Sequence, residues 1–148
     1  MTRDPALISL SHEHHHGLRW SRSLREDTPD LNGDSLLEFL DEFFHAWETE
    51  LNPHFRKEED YLLPLFATEG DSWSPAIQEM LKQHIVIRRD VLLLREDPNT
   101  EVIRRLGDLL HNHVRLEERE VFPQIENQAS DELLEKIRIR LNEGDTPA

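Results

Sequence analysis

Residues 34–66, DSLLEFLDEFFHAWETELNPHFRKEEDYLLPLF, decide the fold. At about 100° per residue, Leu36, Leu40, Phe43, Phe44, Trp47, Leu51, His54, Glu58, Tyr61, Leu62 and Leu65 share one broad stripe. That is the pattern of a helix facing a core. Strand alternation is absent here and in the rest of the chain. His54 and Glu58 lie inside the apolar stripe, where ionisable groups are uncommon unless they are partnered. Pro53 removes a backbone donor and predicts a kink just before His54.

Outward from this helix, Gly, Pro, Asn and Asp punctuate residues 27–34, 68–75, 97–100 and 127–131, so helices are expected over about 5–25, 75–95, 100–125 and 131–143 as well. Asp4 is the expected cap of the first helix, and Ser130 and Gly144 bracket the last. The first helix aligns Leu7, Leu10, His14 and Leu18. The third aligns Ile77, Met80, Leu81, His84, Ile87, Val91 and Leu92. The fourth aligns Val102, Ile103, Leu106, Leu109, Leu110, His113, Glu117 and Val121, leaving His111, Glu118 and Phe122 outside. Each of four helices thus offers one inward histidine. Short connections favour antiparallel neighbours, so the expected fold is all-α: an up-down-up-down four-helix bundle with a short C-terminal helix (Leu133, Leu134, Ile137, Leu141) packed outside, forming one domain over 1–148.

Composition narrows the chemistry. The 148 residues carry 31 acidic and 17 basic side chains, a formal charge of −14. This surplus would repel phosphate backbones and anionic lipid, so neither nucleic acid nor a membrane surface is an expected partner. Cysteine is absent, which removes disulfides, thiolate nucleophiles, Cys-ligated zinc and thiolate-bound iron-sulfur clusters. No apolar run approaches a membrane span and the N-terminus lacks a secretory pattern, so the expected location is cytoplasmic. Nine histidines make this residue the outlier.

An internal repeat carries the chemistry. Residues 54–64 read HFRKEEDYLLP and residues 113–123 read HVRLEEREVFP, with His, Arg, Glu, Glu and Pro at identical offsets. A spacing of four puts imidazole and carboxylate one turn apart on one face. Two such helices invite two ions bridged by the carboxylates, with His14 and His84 completing the ring. Burying these groups unpartnered would cost several kcal/mol per charge, whereas a pair of cations compensates them directly. By phase, His15 is the alternative to His14. A ferritin-like reading through Glu13/His16 and Glu42/His45 satisfies the Glu-x-x-His spelling, but leaves both repeats unexplained. Six N/O ligands exceed a tetrahedral zinc site and suit iron or manganese better.

LSHEHHHGL, HFRKEEDYLLP, QHIVIR and HVRLEEREVFP together resemble the hemerythrin-like, or HHE cation-binding, family. The resemblance implies a non-haem di-iron centre within a four-helix bundle, its two Fe ions carboxylate- and oxo-bridged. Its ligands would be His14, His54, Glu58, His84, His113 and Glu117, with Glu58 and Glu117 bridging. Oxygen-carrying hemerythrins have a further histidine where this chain has Arg88, and an aspartate five residues beyond the fourth-helix histidine, whereas this chain has Glu117 at four; Glu118, which has the carrier spacing of five, is the alternative to Glu117. The set therefore looks more like di-iron proteins of oxidative or nitrosative stress than a stable oxygen carrier. The expected partners are O2, NO or peroxide-type ligands, for sensing or stress defence. The alternative is an enzyme that reduces peroxide or NO, or donates iron for iron-sulfur repair. Behind the ligands, Arg88 is expected to face the metal compartment or pair with Glu120, and Tyr61 to occupy in the second helix the place of Glu120 in the fourth.

Overall fold

The computed structural model describes residues 2–27 and 31–143. These are all-helical, with no strand: α1 (Ile8–Glu26), α2 (residues 33–66), α3 (Pro75–Glu96), α4 (residues 100–128) and α5 (Asp131–Glu143). The starts follow local chemistry. Asp4 Oδ1 accepts from Ala6 N at 2.9 Å and closes a turn before α1, which begins three residues later than expected. Gly33, at φ +51°, makes the left-handed turn into α2 that only glycine adopts freely. Ser74, Asn99 and Ser130 cap α3, α4 and α5 by accepting backbone N–H groups of Ile77, Val102 and Leu133. The expected cap Gly144 lies outside the described residues.

α2 and α4 are continuous but not uniform. Each contains π-helical turns: Trp47–Leu51 and Glu58–Leu62 in α2, and Glu117–Val121 in α4. In all three, the next residue donates its N–H five residues back, from Asn52 to Trp47, Leu63 to Glu58 and Phe122 to Glu117. A proline follows each donor: Pro53, Pro64 and Pro123. In an ordinary helix the proline ring clashes with the carbonyl four residues before it. Widening the turn by one residue removes that clash while the helix continues. At the kink expected before His54, the helix makes the π turn Trp47–Leu51.

The extra residue also turns the downstream phase back by about 100°. Phe122, placed outside by ideal phase, is fully buried, as is Phe66, and Leu63 is 8 % exposed. Tyr61 and Leu65 move to a half-buried margin. Two other expected core residues are surface residues: Leu18 is 37 % and Leu92 65 % exposed. Their helices meet their neighbours through smaller or polar groups instead. On α1 these are Gly17 and Ser21, whose Oγ donates to Gly107 O at 2.6 Å. On α3 it is Asp90, completely buried and gripped by Arg105 of α4 at 2.7 and 3.0 Å.

Cross-helix contacts run in opposite senses. Ser11 meets Glu118 while Ser21 meets Gly107, and Gln83 meets His113 while Asp90 meets Arg105. Glu59 meets His84 while Glu48 meets Arg95. Apolar residues form two clusters. One joins Leu10, Phe66, Met80, Phe122 and Ile137, with α5 packed on α2 at this end. The other joins Trp20, Phe43, Ile87 and Leu106. On α1, α3 and α4 the buried histidine lies in sequence between these two clusters, and on α2 His54 lies at the edge of the second, just before its last member Phe55. No helix among the described residues is long and apolar enough to cross a membrane.

Candidate metal centre

Between the clusters, His14, His54, Glu58, His84, His113 and Glu117 are all buried, none more than 5 % exposed. Burial distinguishes His14 from His15, which is exposed, and Glu117 from Glu118, which is half-buried. Glu42, His45 and His16 are exposed, so the ferritin-like arrangement is not assembled.

The six side chains fall into two groups whose potential ligand atoms lie within 4.8 Å of one another: His14, His54, Glu58 and Glu117, and His84, His113, Glu58 and Glu117. Both glutamates belong to both groups. His14 Nε2 is 2.6 Å from Glu117 Oε1, and His113 Nε2 is 2.9 Å from Glu117 Oε2. His84 Nε2 is 3.2 Å from Glu58 Oε1 and 3.2 Å from His113 Nε2. His54 Nε2 is 3.5 Å from Glu58 Oε2 and 3.6 Å from Glu117 Oε1.

Every imidazole is also held from behind. Its Nδ1 faces an acceptor on the neighbouring helix: Glu118 for His14 (3.1 Å), Glu13 for His54 (2.8 Å), Glu59 for His84 (2.6 Å) and Gln83 for His113 (2.8 Å). These four bonds close a ring, from α1 to α4, α4 to α3, α3 to α2 and α2 back to α1. With Nδ1–H committed to an outer acceptor, each neutral imidazole presents its Nε2 lone pair inward, the tautomer a metal requires.

The inward atoms fit a cation. His54 Nε2, both oxygens of Glu58 and Glu117 Oε2 are buried with no hydrogen-bond partner, in a class of atom that is seldom left unsatisfied. The facing Nε2 atoms of His84 and His113 cannot both be lone-pair acceptors toward each other. Two nitrogens about 2.1 Å from a shared first-row ion lie about 3 Å apart at right-angle geometry, close to the observed 3.2 Å.

Without a cation, protons must supply the positive charge. Burial opposes charging of His14, but hydrogen bonds to Glu117 and Glu118 outweigh it and hold the imidazole up at about 9. His84 is likewise pushed up to about 10, with Glu117, Glu58 and Glu59 overcoming burial. Glu117 is held well below the usual carboxylate range despite its burial, chiefly by the charge of His113. Glu59 falls to about 2, its burial outweighed by His84 and Arg88.

Arg88 does not face the inner compartment. Its Nη1 donates to Glu59 at 2.7 Å, its Nε donates to Asn52 at 3.1 Å, and its guanidinium lies over Phe55. It therefore steadies the carboxylate that holds His84, and the expected pairing with Glu120 is not made. Glu120 is exposed because the π turn at Glu117 carries it off the inward face. Tyr61 lies under Arg140 of α5, 4.1 Å from the guanidinium carbon, beside a surface groove between α2 and α5. Phe55 and Phe122 close the site, stacked on His84 and His14 at 4.1 and 5.5 Å. A surface pocket of about 330 Å³, lined by Glu13, Glu50, His54 and Lys57 among others, opens beside His54 and its outer partner Glu13.

Sequence reasoning missed the outer acceptors. The available signal was position: Glu13 and Gln83 immediately precede an inward histidine, and Glu59 and Glu118 immediately follow an inward glutamate.

Fold and site together define a cation-binding helical protein with histidine and glutamate donors. The family model of the hemerythrin HHE cation-binding domain matches residues 6–125, and the chain belongs to that family. No curated protein and no solved structure matches it. Helix α5 lies beyond the matched segment.

Proposed function

We propose that the chain is an up-down-up-down four-helix bundle holding two non-haem iron ions, which binds O2, NO or peroxide-type ligands in sensing or in defence against oxidative and nitrosative stress. The observation that carries this reading is the pair of four-residue groups sharing Glu58 and Glu117, lined by buried atoms that lack protein partners. The opposite running of contacts between neighbouring helices supports the topology. Iron suits the site because all donors are nitrogen or oxygen and both carboxylates belong to both groups. Four protein residues per ion leave room for a small exogenous ligand. When bound, the iron pair supplies redox chemistry and open coordination positions.

The chain's own residues do the rest. His14, His54, His84 and His113 present Nε2 inward because their outer acceptors fix the ring orientation. Phe55 and Phe122 exclude bulk water from that side, and the pocket beside His54 is the side from which a small molecule would approach. The test is iron loading followed by optical spectroscopy before and after azide, NO and peroxide. Two irons per chain and a reversible spectral change support the binding reading. Consumption of many equivalents of peroxide or NO, lost in His54→Ala, would move the protein to the enzyme reading. No bound iron, or a spectrum indifferent to all three ligands, would overturn both.

A further inference from the structure

The outer ring is not uniform. Three of its acceptors are carboxylates, Glu118, Glu13 and Glu59, and the fourth is the neutral amide of Gln83. Because Glu58 and Glu117 serve both groups equally, the groups differ mainly in what stands behind their imidazoles. His14 and His54 are both backed by carboxylates. His84 and His113 are backed by one carboxylate and one amide. Even that carboxylate is shared: His84 and Arg88 both approach the same oxygen, Glu59 Oε2, at 2.6 and 2.7 Å. On Glu13 the cation Lys57 occupies the opposite oxygen from His54. On Glu118 the neutral hydroxyl of Ser11 donates to the oxygen that His14 uses, while the cation Arg3 stands 3.7 Å from the other.

An imidazole whose Nδ1–H points at a carboxylate is a more basic ligand at Nε2 than one pointing at a neutral carbonyl, because the hydrogen bond is charge-assisted. The geometry points to two unequal cation positions, with Gln83 as the positioning residue that makes the His84/His113 position the weaker and the first to empty. This rests on the metal-binding reading above. Loss of such an outer partner typically changes metal affinity about 10- to 100-fold, and a gap of that order is expected here. Mutual repulsion of two cations would also separate the binding steps, but it would neither assign the weak step to His113 nor make it depend on residue 83.

The experiment titrates the full chain, stripped by chelator, with zinc(II) against a competing chelator in a calorimeter, and repeats the titration with cobalt(II) followed in the visible. Two steps are expected, the second about 10- to 100-fold weaker. His113→Ala should remove the weak step and His14→Ala the tight one. Gln83→Glu should tighten the weak step about tenfold or more and leave the tight one in place. The new carboxylate would share its pocket with two cations, Arg115 and Arg119, against one anion, Glu120, a balance that favours folding of the variant. Glu13→Gln supplies an independent check by weakening the tight step. If both steps are unaffected by Gln83→Glu and Glu13→Gln, or if His113→Ala removes the tight step, the inference is overturned while metal binding stands. If the unaltered chain binds neither ion, the metal-binding reading itself fails.

Discussion

Replacing Glu58 with methionine should stabilise the protein when no cation is bound. Glu58 is completely buried, and neither of its oxygens receives a hydrogen bond. Each unsatisfied buried oxygen costs about 1–3 kcal/mol, so about 2–6 kcal/mol of desolvation is released by removing both. Against this stands the lost attraction to His84 at 3.2 Å and His54 at 3.5 Å. At pH 8, His54 loses its largest raising influence, the charge of Glu58, and can shed its proton toward the ordinary histidine value of about 6.5, while His84 keeps Glu117 and Glu59 as partners for its charge. Methionine fills nearly the same volume, and replacing a buried ion pair by apolar groups of similar size commonly leaves a protein as stable or more stable provided no charged partner is stranded, a condition that pH 8 is chosen to meet. The net gain is on the order of 1–3 kcal/mol, or about 3–9 °C at this chain length.

The assay is thermal unfolding by circular dichroism at pH 8, with chelator and then with metal. With metal at about 100 times its dissociation constant, each ion adds about 2.7 kcal/mol to the unaltered chain. Glu58→Met should lose most of that gain, because Glu58 belongs to both groups. A chelated variant melting more than about 6 °C below the chelated parent, corresponding to about 2 kcal/mol, would refute the reasoning. A variant that kept the full metal response would do the same.

Three further outcomes follow from particular contacts. With His14 raised to about 9 and His84 to about 10, stability from these groups is fully present below pH 6.5 and is lost as pH rises through 9 to 10. The chelated protein's melting temperature should therefore fall between pH 6.5 and 10, and a flat or rising profile contradicts the charge assignment. In the metal-loaded protein the same imidazoles are already neutral, so its profile over that range should be flatter. Gly107 lets α4 approach α1: a Cβ there would lie 2.9 Å from the Ser21 backbone oxygen and 2.6 Å from Arg25 Cγ. Gly107→Ala should cost about 1–3 kcal/mol through this overpacking, read as a lower urea midpoint, and an unchanged midpoint would count against the close approach. Arg105→Ala leaves buried Asp90 with Arg89 alone, and should cost about 2 kcal/mol, below the 3–5 kcal/mol of a carboxylate stranded without any partner.

Helical periodicity made most of the framework legible. His54, Glu58, His113 and Glu117 could be found because ordinary helix separates each histidine from its glutamate, and the ideal four-residue phase holds across that interval. It failed immediately beyond. The π turns beginning at Glu58 and Glu117 shift every later residue, which is why Phe122 proved buried and Glu120 exposed. Pro64 and Pro123 were the signal, since each stands six residues after the first residue of its π turn. Apolar periodicity was equally blind to contacts built from small or charged residues. Gly17, Ser21 and Asp90 fill positions where a count of apolar residues favours Leu18 and Leu92. The outer ring was hidden for another reason: Glu13, Glu59, Gln83 and Glu118 look like an ordinary solvated margin on their own helices, and acquire a role only when the adjacent helix delivers an imidazole.

The most direct test of the central claim is anomalous diffraction at the iron edge from crystals of the iron-loaded protein. Two peaks are predicted, one among His14, His54, Glu58 and Glu117 and the other among His84, His113, Glu58 and Glu117. Anomalous density located elsewhere, or none among these six side chains in a protein that elemental analysis shows to contain iron, would contradict it.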